Sequence, residues 1–365
     1  MTLSHTSSSR LPYLDWLRGV AALIMLQGHV FHSFASKDLQ QGGAWVLSQF
    51  VGGIAPAIFL FLTGVTLAFG MFARDRKTPG AAGKWRGTMR RAGYLLMLAV
   101  LFRVQLFVFG LPNNQWADLL KVDILNCMAL SMAVVSGLAV LKAQQRVRAA
   151  IGAGVLIAAG SPLIAQMDWS GLNPFLRHYF VPDYNYFSFF PWGAFLAFGV
   201  AAGTIIRLVK TEHFDRLMQW SALLGFGLIL AGRYFAEIPY SLYEKSDFWL
   251  DSPLLTVIKL GVILVGLSFA YLWTNFGSGH GFSVVRQLGT TSLLVYWVHI
   301  ELVYGRWFGT FKESLTIGQC VVWSLVLIAA MTGLSVIKTN WNQIKQIPEN
   351  FGYYFLSSPK RASGD

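Results

Sequence analysis

The sequence predicts an all-α membrane protein, a polytopic bundle of about ten transmembrane helices. The chain has 365 residues, of which 55% are hydrophobic and only 13% are charged, and its mean hydropathy is positive. Runs of about 17 to 25 mainly apolar residues, long enough to cross a bilayer as helices, recur along its length. The predicted spans lie near residues 13–34, 50–72, 91–110, 118–141, 149–167, 186–207, 217–235, 253–275, 287–308 and 315–338.

The connections between these spans are short, and no proline- or serine-rich linker divides the chain. We therefore predict one domain over residues 1–365, with short cytoplasmic tails at about 1–12 and 339–365. The first apolar run is too long for the core of a cleavable signal peptide and lacks a small-residue cleavage site, so it is expected to remain as a helix. Cys127 and Cys320 lie far apart in predicted spans, which excludes a disulfide framework, and the scattered histidines predict no metal site.

The net charge of +12 is concentrated in particular loops. Most of the 29 lysines and arginines lie at residues 74–91, 142–148 and 207–216 and near the two termini, that is, in alternate loops. Cytoplasmic loops of membrane proteins carry such an excess of positive charge, so both termini are predicted to be cytoplasmic, which fits an even number of spans. The same distribution argues against a nucleic-acid partner.

The first span carries four polar residues that are unusual inside a membrane: Asp15, Arg18, His29 and His32. A charge on a membrane helix costs about 2.5 to 3.5 kcal/mol on insertion scales, so such residues seldom occur without a partner or a function. At about 100° per residue, Arg18 and His29 lie within about 20° of each other, and all four fall in a stripe of about 100°. For Asp15 and Arg18 alone, anchoring at the interface is an equally good interpretation. It leaves the histidines unexplained.

Further polar residues are predicted at the depth of His29, in the outer half of the bilayer. Helix directions and a rise of about 1.5 Å per residue place there Arg103, Lys121, Asp123, Asn126, Trp192, Lys259, His299 and Glu301. The favoured interpretation is one polar cavity that His299 faces. In the alternative, Glu301 faces the cavity and His299 points away. Purely structural roles also fit: Arg103 and Lys259 as ion-pair partners of Glu301 or Asp123, Lys121 at the interface and Trp192 in packing.

Five stretches resemble the transmembrane acyltransferase superfamily. Residues 14–19 (LDWLRG) leading to His29 are similar to the opening helix of type-3 acyltransferases, including ten residues between the arginine and the histidine. The closer resemblance is to the bacterial branch related to heparan-alpha-glucosaminide N-acetyltransferase. It rests on four further stretches, in order along most of the chain: residues 59–64 (FLFLTG), 122–126 (VDILN), 190–192 (FPW) and 292–299 (SLLVYWVH).

The resemblance implies an enzyme that takes an acyl group from cytoplasmic acyl-CoA and places it on an acceptor, often a sugar, from the far side of the membrane. The expected partners are acetyl-CoA as acyl donor, a glycan or lipid-linked sugar as acceptor, and the lipids of a bacterial plasma (inner) membrane. A histidine of the first helix is the expected catalytic residue. His29 fits the spacing, and His32, one turn later, is the alternative. A homo-oligomer is left open.

For acyl transfer, His29 is assigned as general base on the acceptor, because an imidazole titrates near neutrality. Asp123 is expected to orient it, Asn126 to donate to the oxyanion and His299 to share the cavity. A direct transfer and a covalent acyl-histidine route both remain open.

Donor binding is assigned first to Arg18, at the inner end of the stripe, which would hold a phosphate or the pantetheine arm. The other candidates for binding the donor are Asp15, His32, Arg103, Lys259 and Trp192. On the acceptor side, the predicted outer loops at 168–186 and 234–251 combine aromatic residues with carboxylates, which suits a sugar. Aromatic residues also populate any membrane interface.

Two other functions are compatible with buried charges. A secondary transporter or flippase of a glycan or lipid-linked substrate would use them as proton or substrate sites, but such proteins often show paired broken helices in two similar halves, which we do not find in the sequence. A receptor or assembly protein would use them as locks between helices. Binding or slow hydrolysis of acetyl-CoA is expected from the acyltransferase alone.

Overall fold

The computed structural model describes residues 11–77, 80–112, 114–277 and 281–341. Within these residues the chain is helical and has no β-strand beyond two isolated bridges, which confirms the all-α class. Most of the predicted tails, 1–12 and 339–365, lies outside the described residues. The α-helices are α1 (Pro12–Phe34), α2 (Gly43–Gly52), α3 (Ala55–Lys77), α4 (Ala81–Gly110), α5 (Ile124–Val135), α6 (Ala143–Gln166), α7 (Pro174–Phe180), α8 (Phe189–Leu208), α9 (Phe214–Glu237), α10 (Pro253–Leu272), α11 (Val284–Thr290), α12 (Ser292–Tyr304) and α13 (Ile317–Thr339).

Seven helical segments in the described part of the chain are long and apolar enough to cross a membrane. They are Gly43–Asp75, Ala82–Gly110, Trp116–Val140, Ala143–Gln166, Phe189–Leu208, Pro253–Gly277 and Ile317–Thr339. The helices α1 and α9 have 23 and 24 residues but are not among the seven, since both carry several charged or polar residues. Helix α12 has 13 residues, too few to cross alone. That these three regions also cross the membrane, which would give ten spans, stays a prediction.

Two predicted spans are divided. The span at 50–72 becomes α2 and α3, and the span at 287–308 becomes α11 and α12. The second division occurs at Thr291, whose φ of −118° and ψ of 20° lie outside the helical range. A third span, predicted at 118–141, begins with the 3₁₀-helix Trp116–Leu120, and its α-helix starts only after Asp123.

Helix α1 lies at the centre of the bundle and packs against α2, α3, α10, α11, α12 and α13. Its approach to α11 is very close. A Cβ atom added at Gly19 would overlap the Val285 carbonyl, and one added at Gly289 would overlap the Asp15 carbonyl. Glycines allow two backbones to touch in this way, as is common between helices in membranes.

The outer faces of α4, α6, α9 and α13 expose large apolar side chains. Examples are Leu101, Leu156, Leu230 and Leu325, each at least half exposed. Apolar surface on this scale marks contact with lipid in a membrane protein. The interior is filled by α1, α3, α5, α8 and α10, and it includes the free, buried Cys127.

Candidate active site

Two histidines from opposite ends of the chain meet inside the bundle. Helix α1 carries His29, helix α12 carries His299, and the Nδ1 atom of His29 lies 2.8 Å from the Nε2 atom of His299, a hydrogen-bond distance. His299 is fully buried, whereas His29 keeps part of its surface exposed. One turn beyond His29, the Ser33 hydroxyl donates to the Val303 carbonyl at 3.0 Å and holds the same two helices together.

Tyrosine rings surround this histidine pair. The ring of Tyr304 lies 5.4 Å from that of His29 and 6.0 Å from that of His32, and Tyr296 lies 5.9 Å from His299. His32 is exposed. The structure therefore brings His29, and not His32, into contact with His299.

Glu301, two residues after His299, is directed to a different neighbour. Its Oε1 atom accepts a hydrogen bond from Trp307 Nε1 at 3.1 Å, and the residue is buried. Of the two residues weighed on this helix, His299 is the one that reaches α1.

Asp123 caps the start of α5. Its Oδ1 atom accepts from the backbone N–H groups of Leu125 and Asn126, at 2.9 and 3.1 Å, and from the Asn126 side-chain amide at 3.1 Å. Its Oδ2 atom lies 3.1 Å from Arg103 Nε. The phenol of Tyr179 donates to the Asn126 side-chain oxygen at 3.1 Å. Asp123 and Asn126 are buried, and the carboxylate satisfies backbone N–H groups of the first turn of the helix.

Asp123 was expected to bond to His29, and the structure instead gives it Arg103 and its own helix. The physical reason is local. The free N–H groups of the first turn of a helix lie within reach of a capping carboxylate wherever the rest of the fold places it. Arg103 adds a cation from α4. Direct contact between Asp123 and the histidine pair is therefore not part of the site.

Aromatic side chains connect the Asp123 cluster with the histidine pair. Phe102, next to Arg103 on α4, lies 5.2 Å from Tyr296 and 5.1 Å from Trp297, measured between ring centroids. The indole of Trp297 also donates to Gln105. The Asp123 cluster and the histidine pair are therefore separated by the packed rings of Phe102 and Tyr296.

Lys259 and Trp192 contact each other. The ammonium nitrogen of Lys259 lies 4.7 Å from the centroid of the Trp192 ring, a cation–π contact. Both residues line a small pocket together with Trp249, Ser252 and Thr256. Within the residues that the structure describes, no carboxylate forms a salt bridge with Lys259.

At the start of α1, Asp15 and Arg18 form an ion pair of 2.8 Å. Asp15 is buried and Arg18 is partly exposed. Eleven residues of helix, about 16 Å, separate Arg18 from His29. The structure therefore places this pair in line with the histidines but well away from them.

Three arginines gather over the C-terminal end of α3, and we call them the arginine cluster: Arg74, Arg91 and Arg207. The Nη1 atoms of Arg91 and Arg74 lie 2.7 and 3.9 Å from the point that a Cβ atom on Gly70 would occupy. The guanidinium carbon of Arg207 lies 4.3 Å from the ring centroid of Phe69. Arg74 bonds a hydroxyl and Arg91 a backbone carbonyl, and neither forms a salt bridge with a described residue.

Sequence reasoning missed an ion pair between a buried arginine of α6 and a carboxylate at the C-terminal end of α3. Arg146 is fully buried, and its Nη2 atom lies 3.0 Å from the Asp75 carboxylate and 2.9 Å from the Leu141 carbonyl. Lys84 also binds Asp75, at 2.8 Å. The sequence contains a signal for it, since Asp75 is the one acid in the basic stretch 74–91.

An open cleft of about 650 Å³ lies beside the loop that precedes α10. Its lining includes Gln166, Glu244, Asp247 and Asp251. The phenol of Tyr184 donates to Asp247 at 2.6 Å, and burial together with this hydrogen bond raises the pKa of Tyr184 to about 12. Carboxylates in an open cleft can accept hydrogen bonds from the hydroxyl groups of a sugar.

Fold and site together define a polytopic helical membrane protein with a histidine pair in its interior. The catalytic-domain model of heparan-alpha-glucosaminide N-acetyltransferase matches residues 10–245, and the chain belongs to this family. It is therefore a membrane enzyme of the acetyltransferase type. The match includes α1 and α5 and ends before α10 and α12, so Lys259 and His299 lie beyond it. A search among curated proteins found no match.

Proposed function

We propose that this enzyme transfers an acetyl group from acetyl-CoA, used from the cytoplasm, to a hydroxyl or amine of a glycan or lipid-linked sugar on the outer side. The observation that carries the proposal is the contact between His29 and His299 in a member of an acetyltransferase family. A partly exposed imidazole held by a buried one suits a general base, because the ring is fixed while one edge can still meet a reactant.

In the proposed reaction, His29 removes the proton from the acceptor hydroxyl or amine as that atom attacks the thioester carbonyl. The tetrahedral intermediate collapses, the carbon–sulfur bond breaks, and the imidazolium returns the proton to the CoA thiolate. Such acid–base catalysis contributes about 10²- to 10⁴-fold. The Asn126 amide, which uses one hydrogen for Asp123, has a second that is proposed to donate to the oxyanion.

The arginine cluster is the proposed site for the phosphates of CoA. Guanidinium groups without carboxylate partners bind phosphate well because their donors match its oxygens. The cluster lies near the start of α1. Arg207 is at the end of α8, Phe214 follows soon after it, and the ring centroid of Phe214 lies 6.1 Å from that of Tyr13 in the first turn of α1. Arg18 lies at this end too, and the acyl-bearing arm is proposed to run along the polar stripe from Arg18 towards His29.

Lys259 and Trp192, which were predicted from the sequence to bind the donor, are instead proposed to bind the acceptor at the opposite end of the bundle, with the Asp247 cleft as the second candidate. The pocket of Lys259 and Trp192 lies at the start of α10. Near the end of α10, the ring centroid of Tyr271 lies 5.7 Å from that of Tyr13 in α1, so the pocket and the start of α1 are at opposite ends of this helix. Donor and acceptor would thus approach His29 from two sides.

The proposed topology has both termini in the cytoplasm, ten spans and a single domain. The basic stretches support it, because residues 74–91, 142–148 and 207–216 fall at alternate connections between the predicted spans. Helices α1 and α9 and the α11–α12 pair would supply the three spans beyond the seven apolar segments.

The proposal is tested with the full-length protein in sealed vesicles of known orientation. Radiolabelled acetyl-CoA is supplied to one face, with amino sugars and neutral sugars offered in separate reactions on the other. Labelling is expected only when the donor meets the arginine-rich face. Labelling only from the opposite face would overturn the proposed sidedness, and no binding or turnover of acetyl-CoA from either face would overturn the proposed function.

The role of His29 is tested by His29→Ala, with His32→Ala as the matched control one turn away. We expect the first variant to lose acetyl transfer by about 10²-fold or more while remaining folded in detergent, and the second to change little. Loss confined to the His32 variant would move the base to His32.

A further inference from the structure

The hydrogen bonds of His299 determine where its proton lies. Its Nδ1 atom is 2.7 Å from the Val295 carbonyl oxygen, one turn earlier in α12. A carbonyl oxygen only accepts, so Nδ1 carries the hydrogen. The ring is fully buried, and neither Asp123 nor Glu301 contacts it, so the uncharged form is favoured. An uncharged imidazole protonated at Nδ1 has a lone pair at Nε2.

This lone pair faces the Nδ1 atom of His29 at 2.8 Å. Because His299 Nε2 can only accept, His29 must donate from Nδ1, and its own Nε2 is then unprotonated. We propose that His299 is a positioning residue that holds His29 in the Nδ1–H tautomer and so makes Nε2 of His29 the atom that receives the acceptor's proton. The catalytic part of this inference rests on the proposed function, whereas the tautomer does not.

Two consequences follow for the pair. Both ring nitrogens of His299 are engaged, one with Val295 and one with His29, so His299 is not itself the base. When His29 takes up a proton at Nε2, its Nδ1–H remains hydrogen-bonded to His299, which stabilises the cation that forms during the reaction. A neutral histidine side chain in water prefers the Nε2–H tautomer, so without His299 the nitrogen proposed to receive the proton would already carry one in most molecules.

The tautomer is measured directly by ¹⁵N NMR of the full-length protein labelled at histidine, with the His29 signals identified by their loss in His29→Ala. We expect a pyrrole-type Nδ1 and a pyridine-type Nε2 for His29. A protonated Nε2 in the neutral ring would overturn the inference, whatever the activity of the protein. If the NMR signals are as expected but the protein never turns over acetyl-CoA, the tautomer assignment stands and the proposed function is overturned.

The positioning role is tested by two substitutions of His299. His299→Leu removes the acceptor, and we expect kcat to fall by about 10²- to 10⁴-fold with little change in KM for acetyl-CoA, as when a base loses its orienting partner. In His299→Gln, the side-chain oxygen can accept from His29 and the amide can donate to the Val295 carbonyl. Its fall in kcat should therefore be at least tenfold smaller than that of His299→Leu. Equal losses in both folded variants, or a Leu variant within about twofold of wild type, would contradict the role.

Ser33→Ala is the matched control, because it removes the α1–α12 hydrogen bond to Val303 without touching either imidazole. We expect a lower melting temperature with kcat unchanged. If His299→Leu fails to fold, the wild-type spectrum and the Gln variant still decide the question.

Discussion

Asp75 and Arg146 are 71 residues apart in the chain, and the Asp75 carboxylate lies 3.0 Å from the Arg146 guanidinium. Arg146 has no exposed surface and also donates to the carbonyls of Leu138 and Leu141. One arginine therefore links the C-terminal end of α3 to the turn between α5 and α6. Because Asp75 is taken up by Arg146 and Lys84, the neighbouring Arg74 has no carboxylate partner among the described residues.

Arg146→Ala should destabilise the protein by about 2 to 3 kcal/mol, since it removes the donor of the Leu138 and Leu141 carbonyls and one of the two cations at Asp75. Lys84 keeps part of the Asp75 charge paired, which places the loss near the lower end of the usual range. Arg148→Ala, at an exposed position two residues on, is the control and should stay within about 0.5 kcal/mol of wild type. Denaturant unfolding in detergent measures both. Equal stability of the two variants would contradict the structural role of Arg146.

Asp123→Ala should cost more stability than Asp123→Asn. Alanine removes the cap of α5, worth about 1 kcal/mol, and leaves the partly buried Arg103 without its carboxylate. Asparagine can still cap the helix and loses only the charge. Acetyl transfer should fall in both variants, because α5 positions Asn126. If both variants unfold at the same denaturant concentration, the ion pair outweighs the cap. Wild-type stability of the alanine variant would contradict both contributions.

Replacing Arg74 and Arg91 together by Gln should weaken acetyl-CoA binding by about tenfold or more. Each lost charge-assisted hydrogen bond to a phosphate is worth about 1.5 kcal/mol or more. The loss should shrink at high salt and should be smaller for CoA lacking its 3′-phosphate. Arg90→Gln, one residue before Arg91 and exposed, is the control. Calorimetric titration measures the affinities, and unaltered binding in the double variant would remove the arginine cluster from the donor site.

The Tyr184–Asp247 hydrogen bond should persist up to strongly alkaline pH. The folded-state pKa of the phenol is raised from about 10 to about 12, so the bond's contribution is fully present below about pH 10 and is lost as pH rises towards 12. Because Tyr184 is 67% exposed, that contribution is small. Tyr184→Phe should exchange amide hydrogens faster than wild type at residues 183–187 at neutral pH, and the difference should narrow near pH 12. Identical exchange at neutral pH would show that the bond does not order the loop.

Several features of the fold and site were accessible from the sequence because they depend on periodicity and depth. The stripe on α1 follows from 3.6 residues per turn, and the comparable depth of His29 and His299 follows from helix direction and rise. The structure brings these two side chains together at 2.8 Å. Hydropathy alone also located the seven apolar segments.

Arg103 was one of the partners considered for Asp123, but the cap that Asp123 makes on α5 and the contacts of Arg146 were not accessible in the same way. Capping depends on where a helix begins, and the 3₁₀ turn before Asp123 displaces that start from the edge of the apolar run. A basic residue in a predicted cytoplasmic loop, such as Arg146, is explained by the positive-inside rule before any contact is considered. The break at Thr291 lies between residues that hydropathy does not distinguish.

The histidine pair is built from the first and the twelfth α-helix described, 270 residues apart. During synthesis, α1 leaves the ribosome long before α12 is made. The polar stripe of α1 is therefore without its α12 partner, His299, for that time. At about 5 to 20 residues per second, that delay is on the order of 15 to 50 seconds. In this interval His29 is present without the imidazole that contacts it in the folded protein. A chain released after residue 245 would keep the whole family-matched region and still never complete the pair.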